Sequence, residues 1–225
     1  MQKFVATAVL LFGGAVLSQA SLISLPSLAP GSSVANVDDT VDHSGINPIG
    51  SLFSDSGIQS YSFVGSGITT SGTLREVVYQ EASGTLDFFI HVSVTGGSLS
   101  QVSLVNTGDF SGFDTRVGTI SPIALLGLGA GTKLPITAFR TAGGDTVTWL
   151  FASPITAGQQ AATLVISSNA TLDKPSNIGL IGAGGGTVTL NGFQPVAGVP
   201  EPSTLLLMGA GLLGAAIAAK KRALK

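Results

Sequence analysis

The sequence predicts an all-β protein whose single domain is an antiparallel β-sandwich, and three observations support this fold class. From about residue 60 onward, short runs rich in Val, Ile, Thr and Phe are separated by Gly, Asn and Asp, which is the pattern of many short strands. No segment of this region has the apolar period of a soluble helix. The apolar content, 44% of 225 residues, is ample for one packed core.

The longest alternating run is "GTLDFFIHVSVT", which predicts a strand with one buried face. The residues on that face are Leu86, Phe88, Ile90, Val92 and Val94. The opposite face meets water or a second surface and carries Asp87, Phe89, His91, Ser93 and Thr95. We interpret His91 as a surface histidine with ordinary hydrogen bonds.

Other short runs predict the remaining strands. Three of them alternate, with apolar faces formed by Val147, Trp149 and Phe151, by Leu164 and Ile166, and by Val188 and Leu190. Four more are "YSFVG", "TLREVVYQ", "QVSLVN" and "LPITAFRT". Because the chain then holds eight or nine strands and no soluble helix, two antiparallel sheets packed face to face are the economical architecture.

Changes in composition and the positions of Gly and Pro divide the chain into four parts. Residues 1–20 are a signal peptide, and residues 21–59 are a loose leader, rich in Ser, Pro, Asp and Gly, with room for one early strand. Residues 60–195 form the β-sandwich domain, and residues 196–225 form a C-terminal sorting tail.

The N-terminus has the three parts of a secretory signal peptide. Lys3 supplies a minimal basic region, "FVATAVLLFGGAVL" an apolar region, and Ser18-Gln19-Ala20 the small residues of a cleavage site. We predict a signal helix that signal peptidase removes by cutting between Ala20 and Ser21. A short membrane anchor is the alternative, although the apolar run of about fourteen residues is shorter than the roughly twenty that a bilayer requires.

The charges exclude one large class of partner. Between residues 21 and 198 there are five basic and eleven acidic residues, which gives a formal charge of 5 − 11 = −6. A thinly acidic surface lacks the clustered Lys and Arg that bind a phosphate backbone, so we expect no nucleic-acid partner. The chain has no cysteine, which excludes disulfides and thiolate metal sites.

The C-terminal tail combines three features. Pro200-Glu201-Pro202 keeps the backbone extended because proline fixes φ and removes an amide donor. An apolar run over residues 204–219 follows, and we predict that it forms a transmembrane helix. Lys220, Lys221 and Arg222 then hold the C-terminal end on the cytoplasmic side of the inner membrane. The alternative is a helix of the domain itself.

The segment "VPEPSTLLLMGAGLLGAAIAAKKR" resembles the PEP-CTERM sorting signal of exported bacterial proteins. The resemblance implies processing by an exosortase, a membrane-embedded peptidase, typically in Gram-negative bacteria that make exopolysaccharide. It gives the recognition role to Val199, Pro200, Glu201 and Pro202, and the stop role to the basic cluster Lys220, Lys221 and Arg222.

A second resemblance covers the domain. Segments such as "GTLREVVYQEASGTLDFFIHVSV" and "FSGFDTRVG" are similar to those of PEP-CTERM proteins with a β-rich ectodomain of unassigned activity. This resemblance implies the fold class and supplies no activity.

Few residues are candidates for chemistry. The glycine clusters "GLGAGTK" and "GAGGG" lack the spacing of a phosphate or dinucleotide loop, so we predict turns there. With only His43 and His91 in the chain, neither of which has a local catalytic signature, no Ser-His-Asp arrangement is indicated. Two Thr-x-Thr pairs, at Thr146 and Thr187, are too few to form a regular hydroxyl array.

The densest polar group is "VDDTVDHSG", a weak candidate for a calcium site at Asp38, Asp39 and Asp42. A solvated loop is the plainer interpretation, because the spacing fits no EF-hand loop. We otherwise expect no metal and no cofactor.

These observations favour a non-enzymatic, exported protein. It would be a structural or binding protein of the cell surface or the exopolysaccharide matrix, anchored in the inner membrane until its tail is processed. The alternative is a secreted hydrolase that acts on matrix glycan or peptide. Perturbed carboxylates converging in a cleft would favour the hydrolase, whereas smooth sheets with Ser and Thr faces would favour the structural or binding protein.

Overall fold

The computed structural model describes residues 25–35, 50–104, 110–120 and 131–198. The first six strands of these ranges are β1 (Ser33–Ala35), β2 (Ser51–Asp55), β3 (Gln59–Gly65), β4 (Ile68–Gln80), β5 (Leu86–Gly96) and β6 (Ser98–Leu104). The other six are β7 (Thr115–Ile120), β8 (Thr137–Arg140), β9 (Val147–Thr156), β10 (Thr163–Ser168), β11 (Leu172–Gly182) and β12 (Thr187–Val196).

All pairings between named strands are antiparallel, and they form two six-stranded sheets. One sheet has the order β1-β8-β9-β6-β11-β12. The other has the order β2-β4-β5-β10-β7, and β3 pairs with the same edge of the long strand β4 as β2 does. The prediction of an all-β protein with antiparallel sheets is thereby confirmed, and the described ranges contain no helix.

The two sheets share one core, and its residues lie where the alternation predicts. The inner face of β5 is completely buried, from Leu86 to Val94 at every second residue. It meets the inner face of β9, where Val147, Trp149 and Phe151 belong to the same cluster. Leu164 and Ile166 of β10 are also buried in this cluster, and Val188 and Leu190 of β12 pack against it.

The outer face of β5 is covered as well. Phe89 is buried in a second, smaller cluster with Val77, Val165, Ile120 and Leu25. Leu25 comes from the segment before β1 and fills the space above Gly118, where an added Cβ would lie 2.2 Å from its Cδ2 atom. Part of the predicted leader therefore belongs to the packed structure, and β1 and β2 also begin before residue 60.

Side chains and a proline protect the free edge of β12. The side-chain amide of Gln59 donates to the carbonyl of Asn191 (2.7 Å) and accepts from its amide (2.9 Å). The amide of Phe193 donates to Oε2 of Glu76 (2.6 Å), and Pro195 has no amide hydrogen. Over residues 191–195 the donors of this edge are occupied or missing, which disfavours the addition of another strand.

The glycines of "GAGGG" form the turn between β11 and β12, as predicted. The amide of Gly182 donates to the carbonyl of Gly186 (2.9 Å), and Gly185 has a φ of +80°. Gly65, at the end of β3, lies so close that an added Cβ would be 2.1 Å from the amide nitrogen of Gly186. The absence of side chains lets the two sheets approach each other at this corner.

Arg140 connects the loops at the opposite end of the sheets. Its buried guanidinium donates to the carbonyls of Gly144 (2.9 Å), Leu28 (3.1 Å) and Phe113 (3.2 Å), and also to that of Phe110. One side chain thus ties the segment before β1, the loop before β7 and the turn after β8 together.

Candidate functional site

Seven hydroxyl side chains lie together on the outer face of β3, β4 and β5. We call this surface the hydroxyl face; its members are Ser60, Ser62, Thr69, Ser71, Thr73, Ser93 and Thr95. All seven are exposed or half-buried. The inner sides of the same strands carry Tyr61, Leu74, Val92 and Val94, which are in the core.

The strand register places these hydroxyls in rows. Ser60, Thr73 and Ser93 are paired across the three strands, and Ser62 is paired with Ser71 in the next row. Neighbouring strands lie about 4.8 Å apart and alternate residues about 6.8 Å apart along a strand, which sets the spacing of the hydroxyls. Val64, paired with Thr69, interrupts the third row. A bulge after Ser71 shifts β5 by one residue and brings Thr95 beside it.

Hydrogen bonds within the array orient its members. The hydroxyls of Thr73 and Ser93 are 2.7 Å apart, and those of Ser71 and Thr95 are 3.2 Å apart. Each hydroxyl can donate one hydrogen bond and accept two, so every paired group still has bonding capacity toward a ligand. The face is a neutral, hydrogen-bonding surface with no carboxylate among its members.

An ion pair lies at the border of the hydroxyl face. Arg75 donates to both carboxylate oxygens of Asp55, at 3.0 and 2.8 Å. The hydrogen bond from Arg75 is the largest cause of the lowered pKa of Asp55, and it raises the pKa of Arg75. The bidentate geometry ties the end of β2 to β4.

His91 follows Arg75 in the same row, and its interpretation as a surface histidine is wrong. The side chain is only 8% exposed, because this part of the outer face is covered rather than open to water. Burial lowers the pKa of His91, and a hydrogen bond with the Gln160 side chain opposes that shift. Its Nδ1 atom has no hydrogen-bond partner within the described ranges.

Asp87, next to the hairpin that joins β4 to β5, is a perturbed carboxyl. It is 3% exposed and hydrogen-bonds to the side chains of Ser167 and Glu81. Burial raises the pKa of Asp87 to about 8, and the charge of Glu81 adds to this shift. Two carboxyl groups in hydrogen-bond contact lie closer together than the carboxyls of a glycosidase, which stand about 5–9.5 Å apart.

Glu76 is the second perturbed carboxyl and lies inside the structure. It projects from the face of β4 that also carries Leu74 and Val78, and it is 0% exposed. Burial raises the pKa of Glu76 well above its usual value, the Phe193 amide opposes this shift, and the charge of Asp173 adds to it. Burial likewise raises the pKa of Asp173, while its hydrogen bond with Ser54 lowers it.

A third polar contact joins Lys133 and Ser153, whose Nζ and Oγ atoms are 2.6 Å apart. Ser153 is exposed and Lys133 half-buried. Because one partner is exposed and the other only half-buried, we interpret this contact as a surface hydrogen bond.

Most of the predicted site residues lie outside the described ranges. These are Ala20 and Ser21, the calcium candidates Asp38, Asp39 and Asp42, the motif Val199 to Pro202, and the basic cluster Lys220, Lys221 and Arg222. The signal helix and the helix at 204–219 also lie there. Within the described ranges, no helix has the length and apolar character needed to span a bilayer, and no three His, Cys, Asp or Glu side chains are grouped to hold a metal ion.

Sequence reasoning missed the hydroxyl face, although part of its signal is visible. The stretch "TTSGT" places Thr69, Ser71 and Thr73 on one side of a strand. The partner rows on β3 and β5 become neighbours only through the register, which the sequence does not state. The two predicted Thr-x-Thr pairs lie elsewhere, and Thr148 is buried.

Comparison with known proteins gives one result for the tail and none for the domain. Residues 198–222 match the family described as the PEP-CTERM protein-sorting motif. No curated protein and no solved structure matches the chain. The match indicates export and processing by an exosortase at the membrane. Residues 198–222 are therefore identified as a PEP-CTERM protein-sorting motif.

Proposed function

We propose that this protein is delivered by its sorting tail to the cell surface or the exopolysaccharide matrix, where its β-sandwich acts as a non-enzymatic structural or binding protein. The match of residues 198–222 to the PEP-CTERM motif carries this proposal. The helix at 204–219 anchors the chain in the inner membrane until the exosortase cuts the tail.

The position of the motif relative to the domain suits this sequence of events. β12 ends at Val196, and only seven residues separate it from the apolar run that starts at Thr204. An extended chain spans about 3.1 Å per residue, so the domain stays within roughly 25 Å of the bilayer. Pro200 and Pro202 keep the intervening backbone extended, in the form that a peptidase binds.

The hydroxyl face is the surface that we assign to matrix binding. Its groups donate and accept hydrogen bonds and carry no charge, which complements the hydroxyls of a neutral polysaccharide. The hydroxyls repeat at about 4.8 Å across the strands and about 6.8 Å along them, which offers a polymer several similar contacts. Weak individual bonds therefore add up along one polysaccharide chain.

The arrangement of the acidic residues supports the hydrolase alternative less well than the structural or binding role. Asp87 and Glu76 are the strongly perturbed carboxyls, and both are buried. Asp87 lies on the outer face of its sheet and Glu76 between the sheets. A hydrolytic pair must flank a substrate, and these two groups do not face a common space.

Cell fractionation with an antibody to the domain tests the sorting step. In Pro200→Ala/Pro202→Ala the apolar run is unchanged, so insertion should continue while recognition fails. We expect the full-length form to accumulate in the inner membrane. Finding this variant in the matrix at the size of the wild-type product would refute the role of the motif.

The same fractionation, followed by washing of the matrix, tests the binding step. Ser62→Ala/Thr69→Val/Thr95→Val removes three hydroxyls, and the two Thr→Val changes keep size and β-propensity. We expect normal processing and a several-fold larger fraction released by the wash. Thr187→Val/Thr189→Val, on the exposed side of β12, is the matched control and should be retained like the wild type. Equal retention of both variants would reject the assignment of the hydroxyl face.

A further inference from the structure

Near β12, two buried carboxylate oxygens have no hydrogen-bond partner within the described ranges. They belong to Glu76 on β4 and Asp173 on β11, which lie in different sheets. We propose that these two side chains bind one calcium ion between the sheets. This site is independent of the matrix-binding role.

The carboxyl group of Glu76 is held in place through one oxygen and has no partner at the other within the described ranges. Its Oε2 atom accepts a hydrogen bond from the Phe193 amide, which fixes the carboxyl group in place. Its Oε1 atom is buried and has no partner within the described ranges. An added Cβ at Gly192 would lie 2.6 Å from Oε2, so the glycine leaves the space that the carboxyl occupies. A buried, unsatisfied polar atom in a native structure commonly indicates an ion or water that completes it.

Asp173 provides the second oxygen from the opposite sheet. One part of its carboxyl group is bonded to the Ser54 side chain, while Oδ2 is buried without a partner in the described part of the chain. Asp173 is paired with Pro195, two residues along β12 from the amide that holds Glu76. Ser54, the partner of Asp173, is paired with Val78, the next residue on the inner face of β4 after Glu76. The strand register therefore brings the two carboxyl groups near each other, and the charge of Asp173 acts on Glu76. A cation between them would convert that repulsion into attraction.

The donor set selects calcium. Carboxylate and hydroxyl oxygens are hard ligands, and calcium accepts six to eight of them in flexible geometry. Two carboxylates would be completed by water or by neighbouring groups such as the Ser54 hydroxyl. With so few charged ligands, we expect a Kd of about 10⁻⁴–10⁻³ M, which is typical of extracellular modules.

Thermal unfolding of the full-length chain in detergent tests the site, with CaCl₂ compared with EDTA at matched ionic strength. At a tenfold excess over Kd, we expect the Tm of the wild type to rise by roughly 3–6 °C. Glu76→Gln keeps an oxygen for the Phe193 amide but removes the charge, so the calcium-dependent rise should fall below about 1 °C. Asp173→Asn should have the same effect and serves as the second variant if the first does not fold.

The loop at residues 38–43 provides the control. Asp38→Asn/Asp39→Asn/Asp42→Asn removes the acids of the other calcium candidate, and this variant should keep the full rise in Tm. The proposal is overturned if calcium leaves the wild-type Tm unchanged. It is also overturned if Glu76→Gln or Asp173→Asn responds like the wild type, or if only the loop variant loses the response.

Discussion

The two faces of β4 both carry polar side chains, but they place those groups under opposite conditions. On the outer face, Thr69, Ser71 and Thr73 are exposed or half-buried, so water can satisfy whatever the protein does not. On the inner face, Glu76 is completely buried and depends on its neighbours. The outer face can therefore be altered for binding at little cost in stability, whereas the inner face cannot.

A second buried polar residue sharpens this contrast. Arg140 and Glu76 are both almost inaccessible to water, yet Arg140 donates to four backbone carbonyls while Glu76 has one oxygen satisfied. A fully bonded buried group stabilises the loops around it, whereas a half-bonded group has room for a further ligand.

The largest expected effect is on Arg140. Replacing it in Arg140→Met keeps an apolar stem of similar length but leaves the carbonyls of Leu28, Phe110, Phe113 and Gly144 without their donor. We expect the free energy of unfolding to fall by about 3–5 kcal/mol, measured by urea denaturation. Arg116→Met, at an exposed position, should change it by less than about 0.5 kcal/mol. Equal effects of the two substitutions would contradict the tying role of Arg140.

An intermediate effect is expected at Asp87, and it depends on pH. Burial raises the pKa of Asp87 to about 8 in the folded protein, whereas an unfolded aspartate has a pKa of about 3.9, so the folded state holds a proton that the unfolded state releases. The contribution of Asp87 to the free energy of unfolding is therefore greatest below about pH 4 and is lost as the pH rises toward 8. Asp87→Asn removes the titration while keeping a donor toward Glu81.

The measurement compares the two proteins by urea denaturation from pH 5 to pH 7. Relative to the wild type, Asp87→Asn should gain about 2 kcal/mol over this interval, because each unit of pH contributes up to roughly 1.4 kcal/mol. Parallel stability curves would show that Asp87 does not hold a proton in the folded protein.

The core could be predicted from the sequence because alternation determines which side of a strand is apolar. The inner faces of β5, β9 and β10 were all predicted, residue by residue. The strands β2, β7 and β11 were missed. In β7 and β11, "TRVGTI" and "LDKPSNIGLIG" contain Gly, Pro and charged residues that weaken the pattern. Pro175 is tolerated in β11 because the pairing with β6 covers only Gly179 to Gly182, which leaves one edge of β11 unpaired at Pro175 within the described ranges.

The candidate sites could not be predicted, for a different reason. Alternation assigns His91 and Phe89 to the outer face correctly, but it cannot reveal that Leu25 and its neighbours cover part of that face. Likewise, Glu76 and Asp173 are 97 residues apart, and only the packing of two sheets brings their charges together. Local alternation shows on which face of a strand a side chain lies, whereas a site depends on contacts between strands that are distant in the sequence.

The smallest expected effect is on the outer face of β4. In Ser62→Ala/Thr69→Val/Thr95→Val each substituted position is exposed, so no donor is left buried and water replaces the lost bonds. Valine favours strands at least as well as threonine, and the bond between Ser71 and Thr95 contributes little at the surface. The free energy of unfolding should therefore change by less than about 1 kcal/mol, as measured by urea denaturation at pH 7. A loss of 3 kcal/mol or more would mean that the hydroxyl face supports the fold in the way that Arg140 does, and would remove the reason for assigning it to binding.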